Sequence, residues 1–222
     1  MFSEKALDFL AENRLQNSRE WYHEHKQEYR QHVVQPFIEL VQALTPLMQR
    51  IDAAIDCTPR IDRTISRVYR DTRFSRDKSL YREVAWCTFM RSKKLYHGMP
   101  AFFFEISPDG IRYGCGYYAA DPATLESIRR EVLAGSKLFL QAKKAIESQQ
   151  IFEQVAPRYK RTRYPEQSEQ LRQWLDLRDF CLMHQSTDFG WLFSDRVAPD
   201  LEKAFEQIAP VYHFLLHCEV NK

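Results

Sequence analysis

The chain has 222 residues, 44% apolar and 28% charged, with a formal net charge of +2. That length suits one large domain, and that apolar fraction can bury a substantial core, which excludes a disordered tail. Near-neutral charge excludes a histone-like nucleic-acid coat but leaves room for one concentrated basic patch.

The amino-terminal stretch reads as helices. Leu7, Leu10 and Leu15 recur near helical spacing, and Asn17 or Ser18 can cap a second helix carrying Trp21, Tyr22 and Tyr29. Pro36 starts or kinks a further run through Phe37, Leu40, Val41, Leu44 and Leu47. Residues 52–62 show no period and read as a loop. Residues 64–69 and 84–90 are rich in β-branched and aromatic side chains, and residues 101–107 and 111–118 flank Pro108-Asp109-Gly110, a turn signal between two strands. These runs predict an antiparallel sheet of about four strands.

Asp121 followed by Pro122 marks a helix start, and Gly135 closes that helix before another over residues 136–146. Residues 151–155 and 178–184 read as further strands, separated by a helix through Leu171 and Trp174. A helical pattern over residues 198–218 is interrupted at Pro210. The fold class that follows is α+β, a central, mainly antiparallel β-sheet flanked by N-terminal and C-terminal helices, in a single domain over residues 1–222.

Residues 63–82 read RTISRVYRDTRFSRDKSLYR. They hold seven cations against two carboxylates, Asp71 and Asp77, with Tyr69, Phe74 and Tyr81 interleaved. Guanidinium forks suit phosphate or carboxylate because they donate parallel hydrogen bonds in a fixed geometry, and rings beside them can cover a sugar or base. The bland alternative is that Arg70-Asp71 and Asp77-Lys78 form internal ion pairs that shape a loop.

The run from Arg67 through Tyr69, Arg70, Asp71, Arg73, Phe74, Arg76 and Lys78 to Tyr81 resembles the central signature of the Domain of Unknown Function 2461 family of bacterial and fungal proteins. The resemblance extends to Asn17, Trp21, Tyr22, His25, Lys26, Tyr29 and Pro36-Phe37. It continues at Gly114-Cys115-Gly116-Tyr117-Tyr118 with Pro122, at Tyr159-Lys160-Arg161 with Tyr164-Pro165, and from Pro210 to Leu215. It implies a single cytosolic domain and brings no activity, cofactor or catalytic residue. Cys115 departs from the small residue or glycine that the resemblance implies at that turn.

Other candidates are weaker. Glu20 sits where it favours a helix N-terminus, or could accept a proton or an arginine. His23 and His25 flank Glu24 without the i, i+4 spacing of a zinc-binding helix; His213 and His217 have that spacing but supply two ligands where a structural zinc needs four. Gly114-Cys115-Gly116 reads as a bulge or tight bend, or as a close approach to a ligand. Arg158, Lys160, Arg161 and Arg163 form a second basic cluster around Tyr159 and Tyr164. Cys57, Cys87, Cys115, Cys181 and Cys218 are scattered without a CxxC pair and read as reduced thiols. No leader pattern opens the chain, and no apolar run approaches the roughly 20 residues that span a bilayer.

The leading expectation is a cytoplasmic protein that holds a small anionic ligand, bearing phosphate or carboxylate, in a pocket of Arg67, Tyr69, Arg70, Arg73, Lys78 and Tyr81. Asp71 and Glu20 are its candidate proton-transfer groups, and neither a cofactor nor a metal is expected. A second expectation is a nucleic-acid-binding module using both basic clusters. A third is a non-catalytic scaffold whose charges pair internally. The sequence names no reaction.

Overall fold

The computed structural model describes residues 1–91 and 98–222. Helices open the chain: α1 (Glu4–Gln16), α2 (Arg19–Glu24), the short α3 (Lys26–Glu28) and, after a π-helical turn over Tyr29–Val34, α4 (Gln35–Ile51). The π turn ends with the Gln35 N–H bonded to the Arg30 carbonyl, immediately before Pro36. Proline has no N–H and its ring crowds the preceding turn, so the widened turn lets the helix pass it; the sequence signal for a start or kink resolves as this bulge.

Six strands form one antiparallel sheet: β1 (Ile55–Asp56), β2 (Ala85–Arg91), β3 (Ala101–Ser107), β4 (Gly110–Gly116), β5 (Glu153–Gln154) and β6 (Cys181–Ser186), ordered β1-β2-β3-β4-β6-β5. The expected turn at Pro108-Asp109-Gly110 joins β3 to β4, and β1 falls inside the stretch expected to be loop. In β2 and β3 burial alternates along the strand, as a period of two dictates.

The run expected to be a strand over residues 64–69 makes only isolated bridges. Ile65 faces Cys87 and Tyr69 faces Tyr81, so four residues on one side span six on the other. The two extra residues fall at Glu83 and Val84, and such a bulge breaks the ladder between the two bridged points.

The remaining helices are α5 (Pro122–Leu133), α6 (Lys137–Glu147), α7 (Glu169–Leu175), α8 (Phe189–Leu192) and α9 (Val197–Val220). Asp121 caps α5 by accepting from the Ala123 N–H at 2.8 Å, and Ser136 caps α6 by accepting from the Phe139 N–H at 3.3 Å. Between them Gly135 takes φ +60°, where its N–H can reach the Val132 carbonyl. α9 continues through Pro210 instead of breaking there. Ile208, Val211, Tyr212, Phe214 and Leu215 are all buried beside the proline, and that burial outweighs one lost helical hydrogen bond.

The chain alternates between two compact units, one comprising residues 1–89, 103–113 and 185–202, the other residues 90–102, 114–184 and 203–222. The first unit buries Phe2, Phe37 and Phe104 against one another, with ring centroids 5.0–6.1 Å apart. The second buries Phe102 against Phe205 and Tyr212, and Phe139 against Trp174 and Phe214. None of the described helices is long and apolar enough to cross a membrane.

Candidate functional site

The basic segment of the first unit folds back on itself. The Ser66 N–H bonds to the Trp86 carbonyl and the Thr88 N–H to that of Thr64, while the Arg70 N–H meets the Leu80 carbonyl and the Arg82 N–H that of Val68. Residues 71–79 therefore form a loop closed at its neck by the Tyr69–Tyr81 bridge.

The end of α1 fastens this loop. Asn17 adopts a left-handed conformation, φ 46°, and its side-chain carbonyl accepts from the Leu80 N–H at 2.7 Å. Arg14 reaches Asp77 at 3.0 Å. Asp62, also left-handed, holds the Nε of Arg67 at 2.9 Å from the other side of the segment. Among the described residues, Asn17 and Asp62 alone combine a side chain with positive φ, and asparagine and aspartate are the types that tolerate it.

At the neck the rings converge. Tyr22 lies 5.5 Å from Tyr69, 5.2 Å from Tyr81 and 5.8 Å from Tyr29, and Tyr69 lies 5.2 Å from Tyr81. Tyr81 is 0% exposed and Tyr69 is 47% exposed, so the cluster runs from core to surface. The Tyr81 hydroxyl is buried, and its polar neighbour is the Tyr69 hydroxyl, in a contact that falls outside ordinary hydrogen-bond geometry. Burial and the neighbouring Tyr69 push its pKa up to about 12, with Arg19 close enough to oppose the rise. Burial also raises Tyr22 to about 12, with Tyr69 adding to the rise and Arg30 opposing it.

The predicted cations prove largely paired. Arg70 contacts Asp77, which also accepts from the Ser79 N–H and hydroxyl. Arg73 grips Asp71 with Nη2 at 2.7 Å and Nε at 3.0 Å. Arg63 reaches Asp56 at 3.5 Å, and Lys78 donates to the Thr72 carbonyl at 2.8 Å. Hydrogen bonds from Arg73 hold the Asp71 carboxyl at about 2, and those from Ser79 and Arg70 hold Asp77 lower still. A carboxylate so stabilised is a weak proton acceptor at neutral pH. Glu20, lowered by its own backbone N–H and bonded by the Ser18 hydroxyl, belongs to the N-terminal turn of α2.

Arginine keeps donors in reserve, however. Arg70 uses one Nη on Asp77, leaving others of its five N–H groups for a further acceptor. Arg19 and Arg30 are exposed and form no ion pair among the described residues. Sequence reasoning passed over both, together with Tyr22 and Tyr29 as site residues. Their signal was the seven-residue spacing of Tyr22 and Tyr29, which puts two phenols on one helical face.

The chain is similar over nearly its whole length to one described family. The sequence profile of "Conserved hypothetical protein (DUF2461)" matches residues 5–214. The chain belongs to the Domain of Unknown Function 2461 family. No curated protein matches it.

In this family member, the aromatic neck unites positions far apart in sequence, Asn17, Tyr22, Tyr29, Tyr69 and Tyr81. The glycines at Gly114 and Gly116 serve packing. A Cβ on either would collide with the carbonyls of Leu182 or Phe180 on and beside β6, so the strands approach where only hydrogen fits. Cys115 between them is fully buried, and burial pushes its thiol far above the ordinary range, which removes it as a nucleophile. His25 stacks on Trp21 at 4.1 Å and its Nδ1 faces the Trp21 carbonyl, while His217 lies 3.8 Å from Glu131. Among the described residues no three His, Cys, Asp or Glu side chains gather to hold a metal ion.

A groove of about 730 Å³ in the first unit is lined by Glu83, Ser107, Asp109, Arg112, Ser186 and Thr187 among others, and by none of the predicted ligand-binding residues. Arg112 is committed to Glu105, so the groove presents Glu83 and Asp109 and repels an anion.

The second basic cluster lies in the other unit and is tied to the α7–β6 connection. Arg158 bridges Leu177, the Tyr159 N–H bonds to the Asp176 carbonyl and the Arg178 N–H to that of Pro157, both at 2.8 Å. The Thr162 hydroxyl and the Arg163 N–H both donate to Oδ1 of Asp176, at 3.0 and 3.2 Å.

Proposed function

We propose that this protein binds a small anionic ligand, bearing phosphate or carboxylate, at the tyrosine-lined neck of the 71–79 loop. The buried Tyr81 hydroxyl, met only by Tyr69 and outside ordinary hydrogen-bond geometry, carries this reading. Leaving a polar group dry and poorly bonded costs about 1–3 kcal/mol, and a ligand oxygen that displaces the half-exposed Tyr69 and accepts from Tyr81 in its place would remove that cost. Tyr69 stands half-exposed above it, and Arg19, Arg30 and the spare donors of Arg70 supply the positive field.

The internal ion pairs fit a positioning role for Asp71 and Asp77. Each fixes a guanidinium in place before the ligand arrives, which reduces the ordering cost of binding. Among the predicted residues, Arg73 and Arg67 serve the loop's shape, while Arg70, Tyr69 and Tyr81 would meet the ligand. Lys78, tied to the loop backbone, adds charge at its rim.

The test is thermal denaturation with inorganic phosphate, nucleoside monophosphates, sugar phosphates and dicarboxylates, on wild type and on Tyr81→Phe. A true ligand at a hundredfold its Kd stabilises by about 2.7 kcal/mol, or roughly 5–10 °C for a chain of this size. Tyr81→Phe keeps the ring and should abolish the shift. An equal shift in the variant, or no shift with any of these compounds at millimolar concentration, overturns the reading.

A further inference from the structure

The second basic cluster is built, not merely solvated. Tyr159 sits at the centre of three guanidiniums, with Arg129 and Arg178 each 5.7 Å and Arg163 5.9 Å from its ring centroid. Arg129 is only 4% exposed and donates to the Leu175 carbonyl at 3.0 Å, the Leu177 carbonyl at 2.8 Å and Glu126 at 2.7 Å. The electron-rich ring offsets part of the repulsion among these cations and holds them together. Asp176, itself buried, pins Thr162 and Arg163, so the loop is fixed at both ends.

Little of this charge is neutralised. Glu126 is shared between Arg129 and Arg163, and Arg158 turns to the neutral amide of Gln154 at 3.2 Å. Lys160, Arg161 and Arg178 are exposed and have no carboxylate partner among the described residues. Lys160 and Arg161 sit on one exposed loop, which bends at Lys160, Arg161 and Arg163, and the Arg178 N–H bonds to the Pro157 carbonyl at the start of that loop. Several exposed cations without carboxylate partners, gathered on one loop and its neighbour, suit a ligand whose negative charges repeat, whereas a single phosphate would engage one or two of them.

We infer that residues 158–163 and Arg178 form a docking surface for the phosphodiester backbone of single-stranded nucleic acid, bound without base reading. Arg158, Lys160, Arg161 and Arg178 contact successive phosphates, and the buried Arg129–Tyr159 pair keeps their platform rigid. The site is independent of the tyrosine neck and stands or falls without it.

The test is fluorescence anisotropy of a labelled oligothymidylate titrated with the full chain across a salt series. Affinity should fall as salt rises. The double variant Lys160→Ala/Arg161→Ala, which removes exposed side chains only, should lower the slope of log affinity on log salt by about 1.4, at roughly 0.7 for each phosphate no longer neutralised. The control Lys137→Ala/Lys144→Ala, which takes the same charge from α6, should leave that slope as in wild type. Absence of binding at low salt overturns the proposal. An equal loss of slope in the control shows attraction to net charge alone and overturns it too. Displacement by inorganic phosphate as effective as by unlabelled oligothymidylate, at equal phosphate concentration, removes the strand as partner.

Discussion

Tyr81 sets a conflict between stability and binding that one oxygen atom can expose. Its ring fills the core beside Tyr22 and Tyr69, while its hydroxyl is buried with only Tyr69 beside it, outside ordinary hydrogen-bond geometry. Tyr81→Phe should therefore raise stability by about 1 kcal/mol, seen as a rise of roughly 2–4 °C in the melting temperature of the unliganded protein. A fall would mean that the hydroxyl is satisfied in solution. Asp71 gives a second prediction at this scale. Its folded pKa of about 2 lies below the unfolded value near 4, so the stability it contributes is present above pH 4 and lost as pH falls toward 2. Asp71→Asn should be less stable than wild type at neutral pH and converge with it only as pH falls below 2, as acid-dependent urea midpoints would register. The sequence suggested Arg70 with Asp71 and Asp77 with Lys78. The folded loop instead pairs Asp71 with Arg73 and Asp77 with Arg70, because the loop's path and not adjacency sets which side chains meet. The Arg14–Asp77 pair joins residues 63 positions apart, and only the fold could supply it.

At the scale of elements, local signals carried furthest where local physics decides. Asp121-Pro122, Ser136 and Pro108-Asp109-Gly110 mark boundaries because a cap or turn is settled within a few residues. The Glu83–Val84 bulge was not legible, because it depends on which residues of a distant segment bond to which. Nor was the continuity of α9 through Pro210, which depends on burial around it. The close approach of β4 to β6 gives a test. Gly116→Ala drives a methyl into the Phe180 carbonyl and should cost about 1–3 kcal/mol through overpacking. Gly135→Ala, with open space around it, should cost less, its loss arising from φ +60° alone. A larger drop in urea midpoint for Gly135→Ala than for Gly116→Ala would contradict this packing account.

For the whole molecule, burial governs which groups react. Cys87, Cys115 and Cys218 are buried, and burial raises their thiols, Cys218 to about 12; burial raises Cys57 too, to about 11, but Cys57 and Cys181 are only partly covered, so access is what separates them from the other three. A thiol reagent at neutral pH should reach Cys57 and Cys181 first and the other three only as the protein unfolds, which peptide mass mapping over time would resolve. Early modification of Cys115 would contradict the closed packing between β4 and β6. The sequence by itself determined the α+β class, the helix caps, the β3–β4 turn and the family, since these rest on periodicity, turn chemistry and motifs carried by neighbouring residues. It also located the two basic clusters. Only the tertiary structure decided which cations in them are neutralised, that Tyr22 and Tyr81 share a cluster, and that one phenol there is buried with no well-formed hydrogen bond. Charge and composition are local properties of the chain, whereas ion pairing and desolvation are set by residues that folding brings in from far away.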